Sequence, residues 1–230
     1  MSIAYQFTKK SQSSRSAILQ KLKQQVEGAD YDKLPEEKTF QYPVKTIDEQ
    51  LARFVELLKA NHAEVINVTK STIGPTIQHA LNQRGIEKLL YGKNTDYSSL
   101  LETELNPQTN IELIPFDFNL NENKAFVFND LPASFTSSKF AIADTGTVVL
   151  WPSIEEPRTM SLIPPLHIVA VKTNSLYQNF ANLVEAQNWK AQMPTNILLV
   201  SGPSKTADIQ QTLAYGAHGP KELIVLLIED

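Results

Sequence analysis

Four short segments carry the residues whose types and spacing suit chemistry. The first is Ser201-Gly202-Pro203-Ser204-Lys205-Thr206-Ala207-Asp208. Its small residues let a backbone approach a ligand closely. Free N–H groups at a helix start, the hydroxyls of Ser204 and Thr206, and Lys205 can together bind an anion. The glycine spacing is not that of a Walker A loop. The same residues also suit a capped helix start, with Ser204 as cap and Asp208 complementing the helix dipole. The second is Gly216-Ala217-His218-Gly219-Pro220. Gly216 and Gly219 permit unusual backbone angles around an imidazole that titrates near neutrality, so His218 is a candidate acid–base group or a surface turn residue. The third is Ala143-Asp144-Thr145-Gly146-Thr147, where Asp144 is either a base or nucleophile or the Asx residue of a turn. The fourth runs from Pro157 through Arg158 and Pro164-Pro165 to His167. Arg158 can clamp a carboxylate or phosphate, or make a surface ion pair. His167 heads an apolar run and reads as a satisfied, partly buried histidine.

The elements that must hold these segments follow from hydrophobic periodicity. Thr46-Ile47-Asp48-Glu49 is a capping box, followed by the stripe Leu51, Phe54, Val55 and Leu58. Strands are expected at 63–68, 88–91, 111–115 and 125–128, with helices at 72–84 and 97–105. Pro75 lies in the first turn of the former and Gly85 past its end. Apolar runs at 140–143 and 147–150 flank Asp144-Thr145-Gly146 and predict a hairpin or sharp bend. Beyond them, strands are expected at 167–171, 196–201 and 222–228, with helices at 174–188 and 206–213. This alternation predicts an α/β fold with one mixed, mostly parallel sheet of six to eight strands flanked by helices. Residues 1–43 read as an N-terminal helical arm and linker, with Ile18, Leu19, Leu22 and Val26 on one face. Residues 44–230 form the α/β domain.

Composition narrows the chemistry. The 230 residues include no cysteine, so a disulfide, a thiolate nucleophile, a zinc–thiolate site and a cysteine-ligated iron–sulfur cluster are all excluded for this chain. The net charge of −4 disfavours a nucleic-acid partner. No apolar run approaches the roughly 18 residues of a membrane span, and 1–10 lacks the apolar core of a secretory signal. A soluble, cytoplasmic protein is expected. His62 and His79 stand isolated on helical segments. The four histidines lack metal-ligand spacing, and neither a G-x-S-x-G elbow nor a strand-linked G-x-G-x-x-G occurs.

The order of these segments resembles one family. Ala141-Ile142-Ala143-Asp144-Thr145-Gly146-Thr147 precedes Arg158 and Ser161-Leu162-Ile163-Pro164-Pro165-Leu166-His167-Ile168-Val169. Then come Gly202-Pro203-Ser204-Lys205-Thr206-Ala207-Asp208-Ile209 and Gly216-Ala217-His218-Gly219-Pro220. Together they resemble the lactate utilization protein C family (LutC/YkgG), whose members carry the LUD domain. The resemblance is concentrated in residues 140–230, and the position of Asp144 is often Glu in such proteins. It implies a fold like that of the NagB/RpiA/CoA-transferase class. It further implies a part in oxidising L-lactate to pyruvate with partner proteins that carry iron–sulfur clusters.

Asp144 and His218 are accordingly the candidate catalytic groups. Arg158, Gly202, Ser204, Lys205, Thr206, Gly216 and Gly219 are the candidates for binding a small anionic ligand. No metal site is expected, and no cofactor held by cysteine. A second function fits the same residues: a stand-alone enzyme of the sugar-phosphate isomerase or CoA-transferase type, acting on a small phosphate- or CoA-bearing substrate. A third is an interaction module that works through the arm.

Overall fold

Long runs of Val, Ile and Leu that are apolar at every position, not at alternate ones, belong to strands covered on both faces. Two such runs, β7 (Leu166–Lys172) and β12 (Glu222–Ile228), lie side by side in the interior. The computed structural model describes residues 3–28, 42–105, 110–207, 213–216 and 218–229. It divides into two units, 1–43 and 44–230. In the first, α1 (Ile3–Val26) carries Ile18, Leu19, Leu22 and Val26, which are exposed.

The second unit opens with α2 (Ile47–Ala60), whose start has both bonds of the capping box. The Glu49 N–H donates to the Thr46 hydroxyl, and the Thr46 N–H donates to the Glu49 carboxylate at 2.8 Å. Next come β1 (Glu64–Val68), α3 (Ile73–Gln83), β2 (Lys88–Gly92), α4 (Ser98–Leu105), β3 (Glu112–Phe116), α5 (Lys124–Asn129) and β4 (Ala133–Ser137). Strands β1, β12, β7, β4, β2 and β3 hydrogen-bond in that order, every pair parallel.

Successive residues of a strand face opposite sides, and β12 shows both. Ile224, Leu226 and Ile228 join Ile77, Leu81, Leu101 and Phe135 under α3 and α4. Leu223, Val225 and Leu227 join Phe54 and Leu58 of α2 on the other side. That second core is completed by Ala141, Val148 and Leu150 from a separate four-stranded sheet. Its strands are β5 (Phe140–Ile142), β6 (Thr147–Leu150), β8 (Leu176–Tyr177) and β9 (Leu198–Val200), in the order β8-β5-β6-β9. β5 and β6 form the antiparallel hairpin expected around Asp144.

Four sequence expectations are corrected. The strands fall into two sheets and a two-stranded ribbon, because short buried runs such as 140–142 and 147–150 do not reveal which sheet they join. Residues 125–128 lie in α5, a helix: Val127 is buried while Phe128 is 64 % exposed, and Phe126 turns to Phe118 edge-on at 6.1 Å. Such a short apolar run does not distinguish helix from strand by period. The helix expected over 174–188 starts late. Leu176 pairs with Ala141, and the Asn179 side chain then caps α7 (Phe180–Ala186) by accepting from the Asn182 N–H at 2.9 Å. Finally, 206–213 is no helix where it is described. β10 (Lys205–Ala207) pairs antiparallel with β11 (Leu213–Tyr215), while Asp208 and residues 209–212 lie outside the described residues.

Candidate functional site

The sequence-derived residues separate into three places. Asp144 sits in the β5–β6 turn, where its carboxylate pairs with the Lys45 ammonium and its N–H donates to the Gln178 carbonyl at 2.9 Å. Gly146 closes that turn at φ +57, and a Cβ there would lie 2.5 Å from the Leu57 Cβ. Only glycine allows both the angle and the approach. The neighbouring hydroxyls run in a line, Thr145 to Thr147 at 2.7 Å and Thr147 to Ser201 at 2.7 Å.

Ser201 leads into the second place. A Cβ on Gly202 would stand 2.6 Å from the Asn61 carbonyl oxygen, and the Lys205 ammonium donates to the Asn61 side-chain oxygen at 3.2 Å. The Ser204 N–H donates to the Pro220 carbonyl at 2.8 Å, and the Ser204 carbonyl accepts from the Gly216 N–H at 2.9 Å. Gly219 abuts the Ser204 side chain, where a Cβ would lie 3.0 Å from the Ser204 Cβ. Gly202, Ser204, Lys205, Gly216 and Gly219 are thus laced together, with Thr206 following in β10 opposite Ala214. Ser204 is part of strand-like pairing and not the cap of a helix, so no helix dipole supports an anion at this point. His218 is exposed in the same segment.

Arg158 is the third place. It begins α6 (Arg158–Leu162), is exposed, and reaches a narrow void lined by Ser137, Trp151 and Glu156. Among the described residues no hydrogen bond or ion pair links Asp144, Arg158 or His218 to Lys205. His167 is buried. Its Nε2 lies 2.8 Å from the Thr136 hydroxyl, and burial pushes its pKa down to about 3.

A polar cleft that the motif reading missed adjoins Arg158's void. It has a volume of about 640 Å³ and opens over the carboxyl ends of β2, β4 and β7, where Gly92, Ser137 and Lys172 end their strands. Ligands of open α/β sheets sit outside such ends. Glu156 is its best-defined group. Ser137 donates its N–H to Glu156 Oε2 at 3.0 Å and its hydroxyl to the same oxygen at 2.7 Å. The Ser153 hydroxyl accepts from the N–H groups of Glu155 and Glu156 at 3.1 and 3.0 Å, which folds 153–156 into a tight turn beneath the cleft. Burial raises the Glu156 pKa. The Ser137 bonds oppose that shift, while the Asp96 and Glu155 carboxylates add to it. Lys139 and Lys172 bring positive charge, the latter 3.3 Å from Asp96 and 6.0 Å above the Tyr97 ring centre. A buried carboxyl with a raised pKa, in a cleft with lysines nearby, is a candidate for proton exchange. Glu156 lies two residues before Arg158. It follows β6, an antiparallel strand of the smaller sheet, so no strand-end signal of the parallel sheet pointed to it.

Three comparisons bear on kinship. The family model described as the LUD domain matches residues 51–228. The chain belongs to the LUD domain family. An uncharacterized protein of Neisseria meningitidis serogroup B is 40 % identical over 181 residues, 78 % of this chain and 77 % of its own. The protein named lactate utilization protein C of Macrococcus caseolyticus is 22 % identical over 93 % of this chain and 91 % of its own. The YkgG protein of Escherichia coli is 35 % identical over 97 residues, 40 % of this chain and 42 % of its own. Among solved structures, a DUF162 family protein from Deinococcus radiodurans superposes with a TM-score of 0.58 at 20 % identity, covering 81 % of this chain and 99 % of that one. That likeness concerns the fold alone. Among the described residues of this LUD domain protein, no group of three or more His, Asp or Glu side chains is placed to hold a metal ion. No described helix is long and apolar enough to cross a membrane.

Proposed function

We propose that this LUD domain protein is a component of an L-lactate utilization system, supporting oxidation of L-lactate to pyruvate together with iron–sulfur partner proteins. The observation that carries the reading is kinship to a protein named lactate utilization protein C along 93 % of the chain. Oxidising a secondary alcohol to a ketone removes two electrons and two protons. A chain without cysteine offers no thiolate ligands for a cluster, so on this reading the electrons leave through a partner. The protein then works in the cytoplasm. A strain lacking it is expected to lose growth on L-lactate and keep growth on glucose, and the tagged protein to co-purify with cluster-bearing proteins. Normal growth of the deletion strain on L-lactate would remove the reading.

The arm is the part that suits a partner. Ile18, Leu19, Leu22 and Val26 recur at helical spacing on α1 and are 43–60 % exposed. Deleting 1–43 is expected to abolish co-purification while leaving the thermal unfolding of 44–230 cooperative. Loss of cooperative unfolding would instead make the arm part of the domain's own fold.

A second reading is favoured by the buried Glu156 carboxyl at the strand ends: a stand-alone enzyme acting on a small phosphate- or CoA-bearing substrate whose uncharged part enters the cleft. Turnover of sugar phosphates or acyl-CoA thioesters by the pure protein, lost in Glu156→Gln, would establish it. No turnover across such a panel would dismiss it.

A further inference from the structure

Three groups of the cleft call for a ligand of defined chemistry. The Ser138 hydroxyl is buried beside it and has no hydrogen-bond partner. Buried polar atoms are nearly always satisfied, so this hydroxyl offers a hydrogen bond to water or to a ligand oxygen in the cleft. Lys139 and Lys172 each stand two residues beyond the Ser137–Ala170 pair of β4 and β7, on neighbouring strand ends. Lys139 is exposed and has no carboxylate partner among the described residues. Lys172 shares Asp96, whose side chain is 80 % exposed; a pair that open to water contributes little and yields readily to a competing anion.

The charge count then selects the ligand. Asp96, Glu155 and Glu156 face Lys139 and Lys172 around the cleft. Burial of Glu156 disfavours its charged form, which lessens the repulsion that an entering anion meets. Three carboxylates beside two ammonium groups repel a doubly charged phosphate more strongly than a small monoanion, so the monoanion is the better fit. A ligand that also offers an oxygen able to pair with Ser138 and Glu156 uses the remaining polar groups.

We propose that this cleft binds a small hydroxycarboxylate or its oxo counterpart, its carboxylate taken by Lys139 and Lys172 and its second oxygen by Ser138 and Glu156. The site is argued from the cleft alone; the choice of L-lactate and pyruvate as probes rests on the lactate-utilization reading. The cleft is roomier than a three-carbon acid needs, and bridging water completes the contacts.

The test is calorimetric or NMR titration of the intact protein with L-lactate, pyruvate, acetate and inorganic phosphate. L-Lactate or pyruvate is expected to saturate, with acetate, which lacks the second oxygen, weaker by about tenfold. Ser138→Ala and Lys172→Ala are each expected to weaken binding several-fold with the unfolding midpoint unchanged, because one removes an unpaired hydroxyl and the other an exposed cation. No saturable binding of either acid, phosphate binding as well as or better than both, or binding untouched by both substitutions would overturn the inference. Absent binding together with failed growth of the deletion strain on L-lactate sinks the cleft and spares the functional reading. Binding with normal growth of that strain does the reverse.

Discussion

Acidifying the protein from about pH 7 to about pH 4 is expected to remove about 3 kcal/mol of folding stability through His167 alone. The imidazole is fully enclosed between β4 and β7, bonded to Thr136, with its pKa pushed down to about 3. In the unfolded chain it titrates near its ordinary value of about 6.5. Above that value neither state binds the proton, and His167 makes no pH-dependent contribution. Below it the unfolded chain takes up a proton that the folded one refuses, so stability falls with each further unit until about pH 3. Denaturant unfolding across this range measures the slope. His167→Leu leaves the Thr136 hydroxyl unpaired and is expected to be about 1–3 kcal/mol less stable at neutral pH. Its acid slope is expected to be shallower, other carboxylates supplying what remains. Equal slopes in the two proteins would mean that His167 is charged in the fold.

Gly92→Val is expected to reshape the cleft and to weaken binding of its ligand by at least about tenfold, or about 1.4 kcal/mol. Gly92 ends β2 directly beneath the 153–156 turn. A Cβ there would lie 2.6 Å from the Glu156 Cγ, 2.8 Å from the Thr95 Cγ2 and 2.9 Å from the Glu155 carbonyl oxygen. A side chain could step aside, but the carbonyl belongs to the backbone, so the turn carrying Glu156 must lift. Overpacking of this kind costs about 1–3 kcal/mol of stability. In cells the expected result is lost growth on L-lactate from a protein that still folds. Gly85→Asn is the control, since that position has φ +62 and open space around it, and asparagine tolerates the left-handed region. A Gly92→Val protein that binds lactate and supports growth as before would show that Glu156 has no part in the site.

The parts of this fold legible in the sequence are those whose cause is local. The capping box at Thr46 and Glu49 uses two side chains three residues apart, and both of its bonds form. Pro75 and Gly85 bracket α3 for reasons internal to a helix. The long apolar runs of β7 and β12 announce strands buried on both faces. The parts not legible have distant causes. Ser204-Lys205-Thr206 has the composition of a helix start, and what makes it strand-like is the Gly216–Pro220 segment lying alongside. Asn179 had the composition of a cap within an expected helix, and what ended the preceding stretch was Leu176 pairing with Ala141. The cleft was hidden for the same reason. Glu156 owes its environment to Ser137, 19 residues earlier, and to the missing side chain of Gly92 on a different strand. Neither relation leaves a motif.

The placement of β12 has a consequence for the order of events during synthesis. It is the last described strand of the domain, yet it stands between β1, the first, and β7. Until Glu222–Ile228 arrives, β1 has no neighbour in its sheet among the described residues, and one flank of β7 lies open. The early part of the domain must therefore wait, with an unpaired strand edge, for β12 to close it. Pairings of such sequence separation form slowly, and open edges of this kind recruit other strands. The domain is thus most exposed to mispairing just before Glu222–Ile228 is made, and that strand acts as the latch.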